Sequence, residues 1–187
     1  MLTVDHPQVP FFAEIKNGLP HHCEIDLDGD AIYGAERAIW FELKTNGGTA
    51  LHLSIRCFIM GLNAENIVIA NHLHHGKWGH EHREFSTVNP GQPLRMHVEF
   101  HDKKFHININ GRSFHYTCKL HSHDINRLEI RGDLVIRSLR FHHMENHLHL
   151  FQPIQSACPP QPYGQPTAYA YPPQAYPPPQ NHYSRGY

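Results

Sequence analysis

The sequence predicts an all-β fold: a two-sheet antiparallel β-sandwich with a disordered tail at its C-terminal end. Three observations carry this expectation. Apolar and polar residues alternate strictly in short runs over the first ~145 positions, the period of half-buried antiparallel strands. Glycine- and proline-bearing turns separate the runs at short spacing. Composition then changes abruptly near residue 152.

The strands can be justified in order. Cys23, Ile25 and Leu27 share one face, as do Ile39, Phe41 and Leu43. In LHLSIRCF, Leu51, Leu53, Ile55 and Cys57 oppose His52, Ser54, Arg56 and Phe58. Met96, Val98 and Phe100 oppose His97, Glu99 and His101; Phe105 with Ile107, then Phe114, Tyr116 and Cys118, repeat the pattern. Asn110-Gly111 lies between two such runs, a strong hairpin signal. Gly47-Gly48, Pro90-Gly91 and Gly132-Asp133 supply further turns. His97, His101, His106 and His115 fall on polar faces, where solvent-facing imidazoles are expected.

From Gln152 to Tyr187 the chain carries ten of its 15 prolines and six of its eight tyrosines. With almost no aliphatic side chains to offset the entropy of ordering, residues 152–187 read as a disordered, locally extended arm.

A length of 187 residues suits one domain, or one domain plus an appendage. The formal net charge of -1 gives no bulk attraction to nucleic acid or anionic membrane. Cys23, Cys57, Cys118 and Cys158 are scattered without a C-x-x-C, so no disulfide framework is expected, and free thiols suit a reducing compartment. The start MLTVDHPQVPFFAEIKNG is not a signal peptide, and no stretch approaches the roughly 18 apolar residues of a membrane span. A soluble protein made in the cytoplasm is expected, without membrane insertion.

Residues 71–84 read NHLHHGKWGHEHRE. Five histidines here (His72, His74, His75, His80 and His82) suggest a metal, but no cysteine, aspartate or further histidine recurs at zinc-finger spacing. No metal and no cofactor are expected. The same stretch holds a second pattern. His52, Ser54 and Arg56 stand in line on one strand; Asn71 follows, then Trp78, Glu81 and Arg83. These are donors and acceptors gathered around one aromatic plate.

Here the sequence resembles the galectin family, whose motif runs H-x-N-P-R, then Asn, then W-G-x-E-x-R. The chain has HLSIR at His52–Arg56, Asn71, and WGHEHR at Trp78–Arg83. The resemblance covers roughly residues 9–143, from the VPFF opening to the LVIRSLRF strand, and the tail at 152–187 follows. It implies a jelly roll like those of galectins and legume lectins, and a metal-independent lectin for β-galactosides on glycoproteins or glycolipids. Export, where it occurs, would use a route without a signal peptide. Trp78 would cover the C–H face of galactose, while His52 and Arg56 read its axial 4-hydroxyl. Asn71 would bond the 6-hydroxyl. Glu81 would accept from that hydroxyl or from the 3-hydroxyl of the next sugar, held by Arg56 and Arg83. Two residues depart from the motif: Ser54 replaces the family's Asn, and Ile55 its Pro.

Two other classes compete. Glu24, Asp26 and Asp28 on one strand face suggest a sandwich-fold glycoside hydrolase. The final glutamate of that family's E-x-D-x-x-E is missing, however, and a solvated acidic strand edge among turn residues accounts for them. No enzyme is expected. The third class is a galectin-like protein-interaction module with weak or altered sugar binding, acting through the Pro/Tyr-rich tail. That tail is also the expected means of self-association.

Overall fold

The computed structural model describes residues 1–56 and 66–151. They form fourteen strands: β1 (Leu2–Asp5), β2 (Phe11–Ile15), β3 (Cys23–Ala31), β4 (Ala38–Thr45), β5 (Gly48–Arg56), β6 (Ile67–His74), β7 (Lys77–Trp78), β8 (His82–Phe85), β9 (Pro93–His101), β10 (Lys104–Ile109), β11 (Arg112–Thr117), β12 (Arg127–Gly132), β13 (Leu134–His142) and β14 (Leu148–Leu150). A six-stranded sheet runs β1-β13-β3-β9-β10-β11. An eight-stranded sheet runs β14-β2-β12-β4-β5-β6-β7, with β8 also on β6. Neighbouring strands pair antiparallel throughout.

The predicted inward faces meet between the sheets. Ile25 and Leu27 of β3, Phe41 of β4, Leu51, Leu53 and Ile55 of β5, Phe100 of β9 and Phe105 of β10 are all buried in one core. Burying a side chain of this size contributes about 1.5–3 kcal/mol, and the core is continuous across both sheets. Asn110 and Gly111 both take positive φ, 48° and 86°, closing the β10–β11 hairpin as a type I′ turn. Asp102-Lys103 makes an equivalent turn between β9 and β10, at 47° and 65°. No glycine marks that turn in the sequence.

The acidic strand corrects one expectation. Glu24, Asp26, Asp28 and Asp30 belong to a regular nine-residue strand paired on both sides, by β13 and β9, and not to an edge among turns. Asp26 takes His97 Nδ1 at 2.8 Å and His142 Nε2 at 3.1 Å, while Arg137 bridges Asp28 and Asp30. Burial would push the Asp26 carboxyl up, but the His97 and His142 hydrogen bonds outweigh it and hold the pKa low. His97 is therefore a partner of Asp26 as well as a half-exposed imidazole. His106 and His115 stand directly opposite one another, ring centroids 4.2 Å apart.

The sandwich also extends beyond 9–143: β1 pairs β13 at one end and β14 pairs β2 at the other. Cys57, Phe58, Cys158 and the tail 152–187 lie outside the described residues. Cys23 and Cys118 are buried free thiols, and burial pushes Cys23 up to about 12, so it is unreactive at neutral pH.

Candidate functional site

Three adjacent strands of the eight-stranded sheet, β4, β5 and β6, depart from simple alternation. Their inner residues fill the core, yet Glu42, Ser54, Ile69 and Asn71 on the other face are also buried, at 4%, 4%, 3% and 4% exposure. Cross-strand register explains the crowding. Glu42, His52 and Asn71 form one row across the three strands; Trp40, Ser54 and Ile69 form the next. The β5 and β6 members of these rows make the floor of a groove of about 230 Å³, lined by His52, Ser54, Arg56, Asn71, Trp78 and Glu81 with Ile69 and Gly79.

Six of the seven sequence-predicted residues thus line one cavity. The seventh, Arg83, stands behind it: its Nε and one terminal nitrogen donate to the same Glu81 oxygen at 2.9 and 2.7 Å. That paired contact orients the carboxylate at the groove's rim. Arg83 reaches this position because β8 pairs with β6, setting Arg83 opposite Ile69.

Trp78 is 53% exposed, an unusual cost for an indole. It makes a T-shaped contact with His52, with ring centroids 5.0 Å apart and planes at 62°, and lines the groove. The adjoining glycine has a steric reason. A Cβ at Gly79 would lie 2.2 Å from the His72 ring, and Gly79 N–H donates to the His72 carbonyl at 2.9 Å. The His72 ring is in turn hydrogen-bonded through Nδ1 to the Tyr116 hydroxyl at 2.6 Å. The histidine cluster of residues 71–84 therefore has a structural role at His72, as the seat for the Trp78-Gly79 corner. Among the described residues, no group of three or more His, Cys, Asp or Glu side chains could hold a metal ion.

The sequence reading missed Glu42. Its Oε1 lies 2.6 Å from His52 Nδ1, and its other oxygen is reached by Lys44 at 3.2 Å. Burial alone would push this carboxyl up; the His52 hydrogen bond and the Lys44 charge together hold it at about 2. Ionised Glu42 accepts a proton bond from Nδ1, which leaves Nε2 as the ring nitrogen on the groove side. Glu42 alternates with Phe41 and Leu43, so its outward direction was legible in the sequence. Its position opposite His52 was not, because an irregularity between Leu43 and Lys44 shifts the register of β4 on β5.

Comparison with known proteins fits this geometry. The structure superposes on the Caenorhabditis elegans galectin LEC-6 with a TM-score of 0.66 and 21% identity, covering 75% of this chain and 96% of that one. A toad ovary galectin solved with thio-digalactose gives a TM-score of 0.59 at 19% identity, over 72% and 100% of the two chains. The fold is that of a galectin-type β-sandwich. The family model described as "Galactoside-binding lectin" matches residues 10–141, and the chain belongs to that family, one of lectins rather than enzymes. Among its relatives, human Galectin-4 is 29% identical over 136 residues, covering 70% of this chain and 40% of that protein. The probable galaptin lec-7 of C. elegans is 24% identical over 110 residues, 59% of each chain. The chain thus spans about half the length of these relatives.

Proposed function

We propose that this chain is a metal-independent lectin that binds β-galactoside-containing glycans in the groove of Trp78. One observation carries the reading: His52, Ser54, Arg56, Asn71, Trp78 and Glu81 line a single groove whose indole is left half-exposed. Galactose has an axial 4-hydroxyl, so one ring face is a patch of C–H groups. Covering that patch with Trp78 removes apolar surface from water at roughly 25 cal/mol per Å².

The polar side follows from the hydrogen bonds already made. His52, with Nδ1 engaged by Glu42, offers Nε2 as an acceptor for the 4-hydroxyl proton. Arg56 donates to the same oxygen. Asn71 has Oδ1 occupied by the His72 N–H at 2.8 Å, so its NH₂ is the end left to donate to the 6-hydroxyl. Glu81, held by Arg83, accepts from the 6-hydroxyl or from the next sugar's 3-hydroxyl. A glucoside would turn its equatorial 4-hydroxyl away and leave His52 and Arg56 unpaired, which is the basis of discrimination. The glycans would be those of glycoproteins or glycolipids. The toad ovary galectin bound to thio-digalactose is a precedent for such a ligand on this fold.

The test is retention on lactose-agarose with elution by free lactose, comparing the unmodified chain with Trp78→Ala. Retention should be lost in the variant with its melting temperature little changed, because Trp78 is half-exposed and outside the core cluster. Equal retention by both proteins would exclude the mechanism. A folded but unretained parent chain would favour the protein-interaction reading instead.

A further inference from the structure

A second groove, of about 460 Å³, shares no residue with the one around Trp78. Connections from both sheets converge on it: β2–β3, β4–β5, β6–β7 and β11–β12. Its titratable lining is His74, His75, Lys119, His121, His123 and Asp124, all exposed. The β2–β3 and β4–β5 connections contribute only uncharged groups, among them the carboxamides of Asn17 and Asn46. Asn126 completes the floor, donating to Asn46 Oδ1 at 2.6 Å.

The imidazoles are packed in twos. His74 and His75 have ring centroids 3.9 Å apart, and His121 and His123 lie 5.3 Å apart and stacked. With all four neutral, Lys119 and Asp124 cancel (+1 and -1), and the groove is uncharged. With all four protonated its charge is +4. Asp124 Oδ1 lies 3.2 Å from His123 Nε2, so one counter-charge already stands beside the second pair, while His74 and His75 face no acidic group of the lining.

We infer that this groove is a pH-dependent oxyanion site, taking a sulfate or phosphate group with uptake of protons by its histidines. A tetrahedral dianion offers several acceptors to diverging donors, which suits four imidazoles, one ammonium and three carboxamides better than a planar carboxylate does. Imidazole changes charge between about pH 5 and 8. Because a protonated ring attracts the anion more strongly than a neutral one, affinity rises as pH falls through that range. The anion in turn raises the proton affinity of the rings, by reciprocity.

The experiment is calorimetric titration of the full chain at constant ionic strength, at about pH 5.5 and about pH 7.5. Inorganic sulfate, whose charge is constant over that range, and a heparin-derived sulfated tetrasaccharide are the probes. At least one should bind about tenfold or more tighter at the lower pH, a difference of ~1.4 kcal/mol or more. Sulfate binding would identify a free ion as sufficient; binding of the tetrasaccharide alone would identify an esterified sugar. The triple variant Lys119→Gln, His121→Gln, His123→Gln should lose most of this affinity, whereas lactose should not compete. In case the variant does not fold, titrations of the unmodified chain in buffers of different ionisation enthalpy provide a second measure: at least one proton should be taken up near neutrality. No binding of either probe, equal affinity at both pH values, full affinity in a folded variant, displacement by lactose or absence of proton uptake would each overturn the inference.

Discussion

Glu42 has the largest consequences of any single residue that the site motif does not contain. It is buried, ionised and bound to His52 Nδ1, so it sets which imidazole nitrogen is available to a ligand. Glu42→Gln would leave a neutral amide against that ring, and lactose affinity should fall about tenfold, ~1.4 kcal/mol. Calorimetry checks this, and unchanged affinity would remove Glu42 from the site. Acid stability gives an independent measure. The Glu42 carboxyl lies at about 2 when folded, against an ordinary 4.5. A depressed folded value means that its contribution is complete above the unfolded value and is lost as pH falls from 4.5 toward 2. Melting temperature should therefore drop more steeply across that window in the parent than in Glu42→Gln.

Ser54 tests the opposite direction. It lies on the groove floor between Trp40 and Ile69, where the family motif has asparagine. An amide there would reach further toward the 4-hydroxyl, and Ser54→Asn should tighten lactose binding about fivefold, for ~1 kcal/mol per added hydrogen bond. Calorimetry showing weaker binding would mean that the floor is shaped for another ligand.

At the level of elements, the hairpin of β6 and β7 carries the indole, and its geometry rests on contacts that the motif does not name. Trp78 pairs with Leu73, and Gly79 closes over the His72 ring, which Tyr116 of the other sheet's β11 holds in place. Gly79→Ala would drive a methyl group into that ring. It should cost about 1–3 kcal/mol of stability, the usual range for overpacking, and should weaken lactose binding because Trp78 is its neighbour. Urea unfolding with lactose titration is the check; a variant unaltered in both would mean that the corner has room. The glycine's place in W-G was legible in the sequence, but its reason was not, since His72 is seven residues away and Tyr116 lies on another strand. The acidic strand has the same lesson. Alternation correctly placed Glu24, Asp26 and Asp28 on one face, whereas their partners Arg137, His97 and His142 come from strands distant in the chain.

For the whole molecule, the question is valency. A shallow groove that desolvates few groups gives single-site affinities in about the micromolar to millimolar range. Useful avidity needs linked sites, which raise apparent affinity by ~10²–10⁴. The Tyr/Pro-rich segment 152–187 is the proposed means of self-association, through contacts between tyrosines. The truncation point follows from the fold: β14 pairs β2 through Leu150, so the chain should be cut after Phe151 to leave the sandwich intact. Red-cell agglutination by the truncated chain should fall sharply while its lactose affinity is unchanged. Undiminished agglutination would assign multivalency to contacts between sandwiches.

The sequence by itself determined what is local along the chain. A period of two decides which side chains of a strand share a face, and so which residues fill the core and which can form the row His52, Ser54, Arg56. Spacing within one short segment likewise singled out Trp78, Glu81 and Arg83 as candidates. Tertiary structure alone decided what lies across from each residue. The irregularity near Lys44 brings Glu42 opposite His52, the one near Thr49 brings Asn71 opposite His52, the pairing of β8 with β6 brings Arg83 behind Glu81, and two-sided pairing puts the acidic β3 inside its sheet. The physical reason is that alternation constrains a strand's faces but leaves its register free. Register is settled only when strands distant in sequence meet, by the bulges they accommodate and the apolar faces they must bury together.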